Sequence, residues 1–265
     1  MSTHLIKPAG ITGINTGHTL AANLKLFWEL GQTNTNLVDG AALTTTALST
    51  STAEMGDVRH FVAAADKVVQ TVPINSDESV FVIKQHLGSY LQGDNSQLSY
   101  VRISGGNIFN IYEAGYTGVQ HGKGLRSSYQ GFATLRYSPY TSNILPFGVP
   151  EIVHGSSELT NATAPLYINS VSVPVSTSYG TMPTLTTFST EPIQASVYDD
   201  IGSDADAYIS AIIVFDRVLT ETEILAVEDD PWALVATAAA GPETPINPSI
   251  SSLLATSARL NWEQG

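Results

Sequence analysis

Carboxylates are the residues of this chain with the clearest chemical potential. Asp199, Asp200, Asp204 and Asp206 crowd into "YDDIGSDADAY". Hard oxygen ligands in a Gly-containing loop suit calcium, the one cofactor the sequence suggests. The stretch lacks the distal bidentate Glu of an EF-hand, so an acidic solvated loop is the alternative. Glu221 and Glu223 stand one residue apart in "VFDRVLTETEIL". Hydrolysis of a glycosidic bond needs two carboxylates facing each other across it. Here the spacing fits a helix start instead. Thr220 and Glu223 are placed for a reciprocal capping box, and both glutamates lie where the helix dipole favours anions. No catalytic residue is identified, and the chain reads as a non-enzyme.

The remaining candidates are weaker. "GVQHGKG" (118–124) is similar to a phosphate-binding loop, but Gly follows Lys123 where Ser or Thr belongs. It reads as a loop that joins Arg126 and Arg136 in one of the few basic patches. The histidines are scattered, without metal-ligand spacing. Tyrosines gather in the middle third: Tyr100, Tyr112, Tyr116, Tyr129, Tyr137 and Tyr140. Exposed aromatics stack on sugar rings or anchor protein interfaces. Tyr112, Tyr116, Tyr129 and Tyr140 are the candidates for either role. Alternation along strands would send some of the cluster into the core.

The elements that must hold these groups are strands. Charged residues make up only 13% of the chain, and polarity comes from Ser, Thr, Asn, Gln and Gly. That balance suits strands and turns better than solvent-facing helices. "NLKLFWEL" alternates as a half-buried strand, with Phe27 and Glu29 on its polar side. "ESVFVIKQHL" reads as a central strand, and "SQLSYVRISGGNIFNIYEAG" as a hairpin around its glycines. "GAALTTTALSTSTAEMG" reads as a long loop with an irregular strand. Turn signals recur at the short intervals of a sandwich or barrel. The expected fold is an all-β antiparallel jelly-roll sandwich with one short C-terminal helix. Residues 1–19 read as an extended arm, 20–234 as the domain, 235–247 as a linker, and 248–265 as the start of another β domain.

Net charge is −13, which disfavours nucleic acid and anionic membrane as partners. There is no cysteine, so disulfide staples are excluded. No apolar run is long enough for a membrane helix, and "MSTHLIKPAG" lacks a signal-peptide pattern.

"YISAIIVFDRVLTETEILAVEDDPW" resembles the last strand and helix of LamG-like jelly-roll domains in the concanavalin A-like lectin/glucanase superfamily. Phe215, Asp216, Arg217, Leu219, Thr220, Glu223 and Ile224 carry the likeness. "PLYINSVSV" resembles that family's hairpin at Tyr167 and Asn169, with Ser170 where Gly is usual. "PSISSLLATSARLNWEQ" resembles the first strands of a fibronectin type III domain, with Trp262 as a core residue. LamG-like domains often hold a calcium ion near a loop rim, which bears on the Asp199–Asp206 loop. Hydrolytic members carry an "ExDxxE" strand that is absent here. The ending in "DPW" and the module pairing resemble phage virion proteins. The resemblance therefore implies a structural subunit of a bacteriophage particle, either a head decoration or a tail or fibre component. Its partners would be major capsid or tail proteins, its location the virion, and its state a homo-oligomer such as a trimer. A carbohydrate-binding module for host-surface glycans is the alternative.

Overall fold

The computed structural model describes residues 3–46, 49–61, 67–73, 78–87, 97–103, 108–115, 123–130, 136–137, 139–140, 148–157, 166–173, 176–177, 190–198 and 207–238. In chain order the strands are β1 (Ile11–Ile14), β2 (Leu24–Glu29), β3 (Thr35–Asn36), β4 (Thr44–Thr46), β5 (Ser49–Ala53), β6 (Gly56–Phe61) and β7 (Lys67–Pro73). They continue as β8 (Glu78–His86), β9 (Gln97–Ile103), β10 (Ile108–Gly115), β11 (Lys123–Gln130), β12 (Arg136–Tyr137), β13 (Pro139–Tyr140) and β14 (Pro150–Ser157). The last are β15 (Leu166–Ile168), β16 (Val171–Val173), β17 (Ser176–Thr177), β18 (Thr190–Tyr198), β19 (Ala207–Phe215) and β20 (Val235–Thr237), with helix α1 (Glu221–Asp229) before β20.

Two antiparallel sheets form an all-β sandwich. The first runs β16-β15-β14-β8-β19-β2-β3, with β6 paired to β19 and β5 to β6. The second runs β17-β13-β11-β10-β9-β18-β7-β4, with β12 paired to β11. Trp28 Nε1 on β2 donates to Gln70 Oε1 on β7 at 2.8 Å, which links the sheets across the interior. Alternate residues fill that interior from the first sheet: Leu26, Trp28, Val80, Val82, Ile212 and Val214, all closed to solvent. Period-2 alternation would leave their neighbours on a polar face. Instead those neighbours are also apolar and buried: Phe27, Phe81, Ile83, Ile213 and Phe215. β2 is therefore covered on both faces, and the half-buried expectation for "LKLFWE" is corrected.

The cover comes from the two ends of the described chain. Leu5, Ile11 and Leu20 join Ile224, Val227, Trp232, Leu234 and Val235 in one cluster with Phe27, Phe81 and Phe215. Residues 4–19 are thus built into the domain, not an extended arm. β1 pairs with β20, so the expected linker begins as a strand of the same body. The stretch expected as loop around Thr44 to Ala53 supplies β4 and β5, and β5 forms a hairpin with β6. The fibronectin-like segment 248–265 lies outside the described residues.

Helix α1 starts as the sequence requires. Thr220 Oγ1 accepts from the Glu223 amide at 3.4 Å, and the Thr220 amide donates to Glu223 Oε2 at 2.9 Å. Arg217 adds a bidentate bridge to Glu223 at 2.9 and 2.7 Å. This bridge and the cap hold the Glu223 carboxyl down to about 2. The β15–β16 turn lies beneath the helix. Asn169 and Ser170 both have positive φ, 48° and 65°. A two-residue hairpin of this hand demands that conformation, and a side chain at the second position is strained there. The Ser170 amide is held by Glu228 Oε2.

Candidate functional site

The charged groups buried in the first sheet are committed to its structure. Lys7 Nζ donates to Glu29 Oε1, to the Leu30 carbonyl and to the Asp57 carbonyl, each at 2.6 Å. Glu29 also accepts from the amides of Gln32 and Thr33. Burial pushes the Glu29 carboxyl up, but Lys7 and these amides outweigh it, so the group stays below its ordinary value and charged. Gly31 closes this loop at φ 127°, where a Cβ would stand 2.5 Å from the Asp57 backbone. Lys84 and Glu151 face each other in register on β8 and β14, 2.8 Å apart. Lys25 pairs with Glu78. His154 contacts Ser156 Oγ through Nε2 at 3.2 Å and packs on Phe81 and Tyr167. A Ser–His contact invites a nucleophilic reading, but both residues are closed to solvent. Burial pushes the imidazole down to about 3, so it is neutral at pH 7. Glu29, Glu78, Glu151 and Glu228 are each at most 1% exposed, so none can reach a substrate.

The second sheet differs. Its register carries one row across eight strands: Ser176, Tyr140, Arg126, Tyr112, Ser99, Ser196, Lys67 and Thr46. A parallel row holds Ser128, Asn110, Arg102, Gln194, Val69 and Thr44. The positions of opposite parity include Phe109, Ile111, Leu98, Val101, Ile103, Ile193 and Val197, and with them Glu113, Lys123, Ser127 and Glu191. On β7, Val68 is fully buried and Gln70 is bonded to Trp28, so these positions lie on the side of β7 turned to the first sheet. The polar rows hold the alternate register positions, those of Lys67 and Val69 on β7. Directly opposed residues on neighbouring strands lie about 5 Å apart, so each row is a ladder of closely spaced polar positions.

Register separates the candidate tyrosines. Tyr112 and Tyr140 stand in the polar row, with Arg126 between them. Tyr129 pairs with Phe109 and Tyr137, at positions of the other parity. Tyr116 and the four aspartates of the calcium candidate, Asp199, Asp200, Asp204 and Asp206, lie outside the described residues. Among the described residues no group of three His, Asp or Glu could hold a metal. Sequence reasoning missed Lys67, Ser99, Arg102, Asn110 and Gln194 as members of the same two rows. The signal was present as alternation within "QLSYVRI", "IFNIYEAG" and "TEPIQASVY". Joining those strands into rows needs the register, which is a long-range property.

No family model matches this chain, and no curated protein matches it in sequence. Solved structures match its fold. The receptor-binding domain of botulinum neurotoxin C/D mosaic serotype aligns with a TM-score of 0.61 and 12% identity, over 79% of this chain and 51% of that one. The binding domain of Paraclostridial Mosquitocidal Protein 1 gives 0.60 and 12%, over 79% and 52%. The botulinum neurotoxin serotype D ligand binding domain in complex with N-acetylneuraminic acid gives 0.59 and 11%, over 80% and 52%. At these identities the likeness is one of fold. The chain spans about half the length of the structures it matches.

Proposed function

We propose that this protein is a non-catalytic carbohydrate-binding module, and that its ligand lies along the outer face of the second sheet. The observation that carries the reading is the ladder Tyr140–Arg126–Tyr112–Ser99–Ser196. Sugars present hydroxyls at their edges and C–H groups on their ring faces. Aromatic rings take the faces, and Ser, Asn, Gln and Arg take the hydroxyls. The fold likeness to receptor-binding domains, one of them solved with N-acetylneuraminic acid, supports the same reading. The finer attributes implied by the resemblance remain proposals: a jelly-roll topology, and service as a phage structural subunit.

The test is a glycan array probed with the full chain, beside Tyr112→Ala and Tyr140→Ala. The expected outcome is binding to a restricted glycan set, weakened up to about tenfold by either substitution, as a stacking loss of about 0.5–1.5 kcal/mol implies. Binding unaffected by both variants would move the site elsewhere. An array with no bound glycan would remove the proposal.

A further inference from the structure

The low-complexity stretch "LTTTALSTSTA" supplies an edge strand to each sheet, β4 to the second and β5 to the first. Among the described residues, β5 pairs with β6 alone. The register runs without a bulge from Ser49–His60 to Ala53–Gly56. Hydrogen-bonded and non-hydrogen-bonded pairs alternate along such a ladder. Ala53–Gly56 closes the hairpin across Glu54 and Met55 and is a hydrogen-bonded pair, as are Ser51–Val58 and Ser49–His60. Thr50–Arg59 and Thr52–Asp57 are pairs of the other kind. Thr50 and Thr52 therefore turn their backbone N–H and C=O groups away from β6, toward the open edge. Both residues are exposed. Folded chains guard such edges with Lys, Pro, bulges or very short strands. β16, at the far end of the first sheet, has three residues and is followed by Pro174. β5 has no guard: its five residues are Ser, Thr and Ala, without charge.

We propose that β5 is an interaction surface for a second copy of this chain, paired antiparallel about a two-fold axis at Ser51. That register sets Thr50 of each copy opposite Thr52 of the other. Both residues have outward-turned backbone groups, so each pair exchanges both of its hydrogen bonds. Thr opposite Thr is also a favourable cross-strand pair. The charges of β6 fit this arrangement. Thr52 Oγ1 donates to Asp57 Oδ1 at 3.1 Å, which places the two side chains on one face. Arg59 and Thr50 share that face by alternation. Each row across the axis then reads Arg59 and Thr50 of one copy, followed by Thr52 and Asp57 of the other. A cation ends the row on one side and an anion on the other. Parallel pairing in register would instead align Arg59 with Arg59 and Asp57 with Asp57. The edge thus asks for an uncharged strand with a cation and an anion behind it in reversed order. A second copy meets both conditions by symmetry. The net charge of −13 opposes association at long range, but the edge itself carries no charge. A two-fold contact uses the same edge on both copies and closes at two, so the assembly is a dimer and not a trimer.

The experiment measures the mass of the full chain in solution by light scattering and sedimentation across a concentration series. The expected result is a reversible dimer at twice the mass of one chain. Thr50→Pro removes an outward N–H that takes no part in the β5–β6 ladder, so the edge strand tolerates it. That variant is expected to melt near the parent chain and to stay monomeric throughout the series. The chain has no cysteine, so one introduced thiol reports on a single position. Ser51→Cys sets two thiols opposite each other at the axis, within the Cα separation that a disulfide accepts. It is expected to give a covalent dimer under mild oxidation, whereas Thr222→Cys, exposed on α1, is not. Should Thr50→Pro melt early, the Ser51→Cys crosslink decides alone. A parent chain that stays monomeric, with no crosslink through Ser51, overturns the proposal and leaves the edge to a strand of a different protein. A dimer that survives Thr50→Pro and does not crosslink through Ser51 places the interface elsewhere and equally overturns it. A trimer overturns the two-fold.

Discussion

The two sheets obey the same alternation rule with different residue types at the alternate positions. On the first sheet, Phe27, Phe81, Ile83, Ile213 and Phe215 face outward and are covered by the N-terminal segment, α1 and the turn Pro231–Leu234. On the second, the rows in register with Lys67 and Val69 hold mostly Tyr, Arg, Ser, Asn, Gln and Thr. An apolar outer row recruits more of the same chain to bury it, since each fully buried side chain of this size contributes roughly 1.5–3 kcal/mol. A polar outer row needs no cover. The difference teaches where a ligand can act. The covered face has its polar groups spent on its own loops, whereas the polar rows set donor and aromatic residue types in a regular register.

The strongest way to break this comparison is to uncover the first sheet. Deleting residues 1–14 removes Leu5, the β1–β20 ladder and the buried Lys7 that neutralises Glu29. Loss of one partner from a buried ion pair costs about 3–5 kcal/mol, and loss of a buried Leu side chain about 2–5. The expected sum exceeds about 5 kcal/mol, comparable to the whole stability of many domains. The truncated protein is expected to lose cooperative unfolding in circular dichroism. A truncated chain that melts within a few degrees of the intact one would show the segment to be a dispensable arm after all.

A second test uses the seam between α1 and the β15–β16 turn. Glu228 is fully buried, and its Oε1 has no hydrogen-bond partner among the described residues. Burial pushes its carboxyl up to about 8, and the bond from the Ser170 amide only partly opposes this. The folded value lies above the unfolded one of 4.5. The stabilising contribution is therefore fully present below pH 4.5 and is lost as pH rises toward 8. The slope reaches at most about 1.4 kcal/mol per pH unit. Denaturant melts from pH 5 to 8 should show this decline, and Glu228→Gln should flatten it. An identical pH profile in the variant would mean that Glu228 is not the group that titrates.

How legible the molecule was depends on the range of each interaction. The helix was legible because its signals are local: Thr220, Glu223 and Pro231 fall within one short stretch. β8 was legible as a central strand because both of its faces are apolar. The fate of Phe27 and Glu29 was not, because it depends on Trp232 and Lys7, each far along the chain from one of them or close only through folding. The Arg217–Glu223 bridge lay in plain view, yet the capping pattern alone had seemed to account for Glu223. For the candidate site, Tyr112 and Tyr140 could be picked out by type and Tyr129 could not be separated from them. Only pairing to Phe109 on one strand and Arg126 on another distinguishes the two parities.

The mildest expected effect sharpens the comparison most. If the second sheet's outer face exists for ligands, shortening its side chains should leave stability nearly untouched. Surface substitutions away from caps, buried pairs and strained turns change stability by less than about 0.5 kcal/mol. Tyr112→Ala and Arg126→Gln should each stay within that limit in denaturant melts, while weakening saccharide binding. Pairing of side chains along the row could add a few tenths, because cross-strand pairs contribute roughly 0.2–1 kcal/mol. A loss of several kcal/mol from either change would place that residue under cover, like Phe27, and would mean that the second face is also closed.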